Sequence, residues 1–190
     1  MTEPSSENSD LELVARVADG DKAAIRLLFH RHYGRVFRFV MRQTRSEPMA
    51  EDIANEVFLE LWRQAGKFEG RSQLSTWLMG IARFKVLSAR RKRTEAPLDE
   101  GYAETIEDQA DGPEVQELKR DKAAGLRRLI DGLAESQRMV IDLAYFHGKS
   151  VSEIGTILEI PVATVKTRMF YARKNLGQAL AAAGMDRGWP

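Results

Sequence analysis

Apolar residues recur along most of this chain at intervals of three and four, the spacing that puts side chains on one face of an α-helix. Ser9 with Glu12 reads as a capping box for a first helix that stops near Gly20. Asp21 caps a second, in which Ile25, Leu28, Phe29, His32, Tyr33, Val36, Phe37, Val40 and Met41 keep the helical spacing. Ser46-Glu47-Pro48 opens a third, with Pro48 in its first turn and a stripe of Ile53, Val57, Phe58, Leu61 and Trp62. A loop from Gly66 to Ser72 precedes a fourth helix striped by Leu74, Trp77, Leu78 and Ile81, so Trp77 is predicted to be core. This half ends in Arg90-Arg91-Lys92-Arg93. No segment alternates as a strand does.

The helical pattern returns from Lys119. Leu126, Leu129, Ile130 and Leu133 stripe one helix, and Val140, Ile141, Leu143 and Ala144 another that Gly148 stops. Ser150 with Glu153 then reads as a capping box for a short helix faced by Ile154, Ile157 and Leu158. Pro161 ends or restarts it. A last helix runs from about Val162, with Val165, Met169 and Ala172 at the spacing of a buried stripe. The face between them carries Lys166, Thr167, Phe170, Arg173 and Lys174. Two short helices, a tight break and a basic second helix form a helix-turn-helix, whose second helix lies in the DNA major groove. The tail AAAGMDRGWP is predicted to fray.

Between the two halves the composition changes. Residues 95–118 hold Glu95, Asp99, Glu100, Glu104, Glu107, Asp108, Asp111, Glu114 and Glu117, no Lys or Arg, and the helix breakers Pro97, Gly101, Gly112 and Pro113. The predicted fold is therefore all-α: two small helical domains, a bundle over 9–94 and a helix-turn-helix domain over 119–183, joined by an acidic flexible linker over 95–118. At 190 residues and 43% apolar, the chain has enough material for two small cores.

The absence of cysteine excludes disulfides and thiolate metal sites. The acidic N-terminus, MTEPSSENSD, is no signal peptide, and no run of about 18 apolar residues suggests membrane insertion. The expected location is the cytoplasm. His30, His32 and His147 are the only histidines, and His30 and His32 point to different helix faces. There is no phosphate-cradling glycine loop and no nucleophile elbow. No catalytic residue, metal, cofactor or small-molecule substrate is predicted. The net charge of +1 is small for a protein that grips DNA unaided. The residues alone also admit a dimeric helix-turn-helix repressor and a protein-binding scaffold.

Three segments in order resemble a bacterial sigma factor of the extracytoplasmic-function (ECF) type, in the sigma-70 family. The likeness covers about residues 10–182. LLFHRHYGRVFRFVMR and AEDIANEVFLELWRQ resemble the core-polymerase-binding helices. KFEGRSQLSTWLMGIARFKVLSARRK resembles the promoter −10 segment. LAESQRMVIDLAYFHGKSVSEIGTILEIPVATVKTRMFYARKNL resembles the −35-binding module.

The resemblance implies that Asp52, Asn55, Glu56, Leu59 and Glu60 dock on the clamp helices of RNA polymerase's largest subunit. It implies that Phe68, Arg71, Ser72, Gln73, Arg83, Phe84, Lys85, Arg90 and Arg91 hold the melted −10 strand, where an extruded base needs a pocket and its phosphates a cationic track. Lys166, Thr167, Arg168, Phe170, Tyr171 and Arg173 would meet the −35 element of promoter DNA. Partners on this reading are core RNA polymerase, promoter DNA and an anti-sigma factor, in a stress response. The acidic linker would thread toward the polymerase's basic channels.

Three departures matter. Phe84 stands where the family often has Asn, Ala163 where Gly is common, and Tyr171 where Arg is common. The last removes a cation, so the family's −35 preference does not carry over.

Overall fold

A computed structural model describes residues 6–94 and 125–184. The predicted linker, residues 95–118, lies outside the described residues, as does the start of the second domain at Lys119. Among the described residues all regular structure is helical, in two compact units.

The first unit comprises α1 (Ser6–Ala18), α2 (Lys22–Thr44), α3 (Glu47–Gln64), a short 3-10 turn (Ala65–Lys67) and α4 (Leu74–Thr94). α1 begins at Ser6, so Ser9 lies inside the helix and not at its cap; the local capping pattern did not mark the true start. Leu13, Val14 and Val17 are the buried face of α1. Gly20, at φ +87°, turns the chain. Asp21 then caps α2, accepting from the N–H groups of Ala23 (2.7 Å) and Ala24 (3.2 Å). The Arg16 guanidinium bonded to Asp21, aided by those two N–H groups, holds the Asp21 carboxyl below its usual value.

α2 stops where Arg45 adopts a left-handed conformation and donates its N–H to the Met41 carbonyl, 2.9 Å. Pro48 sits in the first turn of α3, as expected, and Ala50, Ile53, Ala54, Val57, Phe58 and Leu61 are buried at helical spacing. With Leu28, Phe39, Leu78 and Met79, fully buried, they make the core of this unit. Each such large apolar side chain contributes about 1.5–3 kcal/mol by leaving water. Of the stripes read from sequence, Phe29 on α2 and Trp62 on α3 leave the core: they are 37% and 36% exposed.

Among the described residues of this unit four polar side chains are buried, His32, Gln43, Ser75 and Thr76, and His32 makes a contact between helices. His32, on the buried face of α2, holds Asp10 of α1 by Nε2···Oδ2 at 2.8 Å, and Arg31 binds the other oxygen of the same carboxylate. Burial lowers the His32 pKa below its usual 6.5, outweighing the opposing pull of Asp10.

The second unit comprises a helix over 125–131 (α5), α6 (Glu135–Ile141), a π-helical turn (Asp142–Phe146), α7 (Val151–Leu158) and α8 (Val162–Ala182). The predicted helix through Ala144 is thus α6 plus a π-turn, closed by the His147 N–H on the Asp142 carbonyl, 3.3 Å. Gly148, at φ +62°, ends it. The Ser150–Glu153 capping box forms in both directions. Ser150 N–H donates to Glu153 Oε2 (2.9 Å), and Glu153 N–H to Ser150 Oγ (3.3 Å).

Glu159, at φ +52°, makes the tight break before Pro161. A Cβ on Gly155 would lie 3.1 Å from the Ile160 carbonyl, so the close turn favours glycine there. Val165, Met169 and Ala172 form the buried stripe of α8, as the spacing predicts. α8 carries Ala181 and Ala182 in regular helix, so the predicted fraying does not begin at Ala181. Residues 185–190 lie outside the described residues.

Candidate functional site

The buried stripe of α8 fixes which side chains face outward. Lys166, Thr167, Phe170 and Lys174 share the exposed side, at the i, i+1, i+4, i+8 spacing of one face. Phe170 is 63% exposed and meets Tyr171 edge-on at 5.4 Å between ring centres. Thr167 spends its hydroxyl on the Ala163 carbonyl, 3.0 Å away. Its methyl group stays free for apolar contact.

Arg173 lies on one flank, next to Met169, and Arg168 on the other, where it is half-buried. The six expected −35 residues therefore do not form one patch: Arg168 stands apart from Lys166 and Phe170. Val151, Lys166, Met169, Phe170, Arg173 and Lys174 line a shallow groove with an apolar floor and a cationic rim. Such a surface suits a duplex groove, whose edges offer acceptors and thymine methyl groups.

A second concavity lies in the loop after the 3-10 turn. Lys67, Phe68, Glu69, Gly70, Arg71, Ser72 and Trp77 line it. Gly70 is at φ +66°, a backbone conformation that favours glycine, and a Cβ there would meet the flexible tip of the Leu11 side chain of α1 at 2.8 Å. The rings of Phe68 and Trp77 are 5.3 Å apart. Trp77 is therefore not core, as its place on the apolar stripe predicted, but half-buried on the wall of the concavity, because the loop folds back over that side of α4. Arg71 is 85% exposed and pairs with Glu69 at 2.5 Å. Gln73 is exposed beside the loop, where its carbonyl starts α4 by accepting from Thr76 and Trp77.

The cations of α4 divide. Lys85 is bound to Glu56 of α3 at 2.9 Å. Arg90 donates to the Gln43 carbonyl near the C-terminal end of α2, where helix carbonyls carry partial negative charge. Both residues thus work within the bundle. Arg83 is half-buried and Arg91 exposed. Phe84 is 69% exposed, an unusual setting for a large ring in the middle of a helix.

On α3, Asp52, Asn55, Glu56 and Leu59 are exposed and Glu60 is half-buried, held by Gln64. Glu56 and Lys85, expected at separate interfaces, meet each other. Beside this ridge the rings of Phe29 and Phe58 touch at 4.8 Å, and Phe29 (37%), Leu59 (55%) and Trp62 (36%) remain exposed. Among the described residues no cluster of three or more His, Asp or Glu suits a metal ion. No described helix is long and apolar enough to cross a membrane.

Sigma-70 region 2 matches residues 28–95, and sigma-70 region 4 matches residues 124–176. The RNA polymerase sigma-H factor of Pseudomonas aeruginosa is 31% identical over 92% of this chain and 95% of its own. The ECF RNA polymerase sigma-E factor of Escherichia coli is 32% identical over 90% of this chain and 93% of its own. The chain belongs to the ECF sigma factors of the sigma-70 family. Such proteins are transcription initiation factors rather than enzymes.

Two solved structures share the fold of this sigma factor. CnrH, in complex with the cytosolic domain of CnrY, superposes with a TM-score of 0.67 at 22% identity, covering 91% of this chain and 97% of its own. The sigma factor RpoE from Bartonella quintana, in complex with the anti-sigma factor NepR, also scores 0.67, at 23% identity over 85% of this chain and 98% of its own.

Two candidate residues escaped the sequence reading. Trp77 was hidden by its place on a good apolar stripe. Tyr145 had no periodic signal, because the π-turn that projects it adds a residue to the helical repeat. Its hydroxyl accepts from Arg173 Nε at 3.0 Å.

Proposed function

We propose that this sigma factor binds core RNA polymerase, holds the melted −10 strand with its first unit and reads the −35 duplex with α8. The observation that carries the reading is the presence of both region 2 and region 4, in that order, in one chain. The division of labour follows residues 9–94 and 119–183, with 95–118 as the linker. The docking ridge is Asp52, Asn55, Glu56, Leu59 and Glu60, a mixed acidic and apolar face suited to basic clamp helices. Phe68, Arg71, Ser72 and Gln73 hold an extruded base, with Trp77 as the added wall. Arg83, Phe84 and Arg91 continue the track along α4, while Lys85 and Arg90 support it from within the bundle.

In the second unit Lys166, Thr167 and Phe170 face the base edges, with Tyr171 and Arg173 beside them. Arg168 contributes from the flank. A net charge of +1 fits a factor whose polymerase partner supplies most of the DNA affinity. The same reading places the protein in the cytoplasm, where polymerase and promoter are. That the RpoE of Bartonella quintana is held in complex with the anti-sigma factor NepR supports regulation of this protein by an anti-sigma factor.

Run-off transcription on fragments of the native genome, with core polymerase alone and with this protein added, tests the reading. Promoter-specific transcripts should appear only with the protein. A palindromic footprint by the protein alone, without transcripts, would favour a repressor instead.

A further inference from the structure

We propose that Tyr145 and Arg173 form a two-residue phosphate clamp that sets the register of α8 on the duplex, with Tyr145 as the positioning residue. The inference rests on the proposed −35 contact by α8. It concerns how one arginine of that helix is used.

Three observations carry it. Arg173 Nε donates to Tyr145 Oη at 3.0 Å, and the guanidinium carbon lies 5.9 Å from the centre of the Tyr145 ring. With Nε committed, the two terminal nitrogens remain as a fork, the geometry that suits a phosphate. The tyrosine oxygen accepts from Arg173, so its own proton is left to donate. Donors from two separate segments, both on exposed residues, are therefore adjacent, and a phosphate oxygen accepts both kinds.

The second observation is position along the helix. Recognition helices read base edges with their N-terminal residues. Lys166 lies in the opening turns of α8. Arg173, seven residues on, is about 10 Å further along the axis, past the part of the helix that enters the groove. On the flank of α8 it meets the backbone and not the bases.

The third is how Tyr145 is held. It is 61% exposed, yet it stands on a π-turn fixed by His147 N–H on the Asp142 carbonyl (3.3 Å) and Lys149 N–H on the Leu143 carbonyl (2.9 Å). Leu143, within the same turn, is fully buried. The turn thus anchors one side chain inward and aims another outward. Turns of this kind recur at functional sites.

The test uses the full-length protein with core polymerase on a promoter found by run-off transcription. Binding is measured across a salt series and across −35 base-pair substitutions. Tyr145→Phe keeps the ring and removes only the hydroxyl. It should weaken binding about tenfold, by a similar factor for every −35 variant and with the salt slope unchanged, because tyrosine is neutral. Arg173→Ala should weaken binding more and lower the salt slope by about one. The double variant should fall far less than the product of the two.

A Tyr145→Phe variant that binds like wild type, or that changes the preference among −35 base pairs, would overturn the clamp alone. A wild-type holoenzyme without promoter selectivity would overturn the proposed function and the clamp together.

Discussion

α8 and α4 are both basic helices of the same length, 21 residues, yet they hold their charge differently. On α8, Lys166 and Lys174 point outward with no ion pair among the described residues, and Phe170 stands between them. On α4, Lys85 is tied to Glu56 and Arg90 to the end of α2, and the most exposed large apolar side chain is Phe84. A helix that meets intact duplex needs open cations and donors, since duplex offers phosphates and base edges. A helix that meets separated strands gains more from ring faces, because every unpaired base has a face to stack. The contrast suits one helix to reading sequence and the other to trapping an open strand.

The largest break in that contrast should come from Lys166→Ala. Lys166 is an outward cation in the opening turns of α8, where a contact to a base edge is worth about 1–3 kcal/mol. Promoter-specific transcription should drop about tenfold or more, and the loss should depend on the −35 base pair opposite. A uniform loss across all −35 variants would instead make Lys166 a phosphate contact and narrow the difference from Arg173.

Phe84→Ala is the matching test on α4. Stacking one base contributes about 1–3 kcal/mol. The variant should therefore shorten open-complex lifetime about tenfold while leaving closed-complex formation intact. Phe84→Trp should restore it. Phe84→Asn, the residue common in the family, sharpens the point: it exchanges stacking for hydrogen bonding and should make opening depend on base identity. Equal lifetimes for Phe84→Ala and wild type would remove Phe84 from the −10 surface.

Much of this was legible from the chain. The capping pairs Asp21 and Ser150–Glu153 and the α8 stripe are set by contacts a few residues apart, and local patterns report them well. The failures are instructive because each turns on packing or turn geometry that a periodic pattern does not state, and two of them on distant segments. Trp77 sits on the apolar stripe of α4, but the loop held by Gly70 against Leu11 makes its surroundings a concavity and not a core. Arg90 reads as one more cation in a basic run, yet the end of α2 claims it from 47 residues away. Arg168 looks equivalent to Lys166 until the buried stripe assigns the two to different sides. Tyr145 needed the π-turn. Periodicity states which residues share a face; it does not state what covers that face.

A smaller effect separates scaffold from interface on α4. If Lys85 supports the bundle through Glu56, Lys85→Met should leave the salt dependence of promoter opening unchanged. It should also lower the stability of the first unit only slightly, by about 0.5 kcal/mol. The pair is discounted because Glu56 is 58% exposed and well screened. A fall of about one in the salt slope would return Lys85 to the DNA track.

The smallest effect tests the attachment of α1, which the loop concavity depends on through Leu11 and Gly70. His32 is buried against Asp10, with the Arg31 and Arg35 charges opposing a further proton. Its folded pKa lies below the unfolded value of about 6.5, so the unfolded chain binds the proton more readily. The stability this group contributes is present above about pH 6.5 and is lost as pH falls through the depressed folded value. Denaturant midpoints for the full chain between pH 7.5 and 5.5 should therefore decline on the acid side, and His32→Gln should flatten the curve in that window. A wild-type midpoint that holds steady, or rises, as pH drops would show that Asp10 stabilises the protonated ring more than burial disfavours it. The Asp10–His32 contact would then be a charged pair holding α1, and acid would tighten the wall behind the concavity.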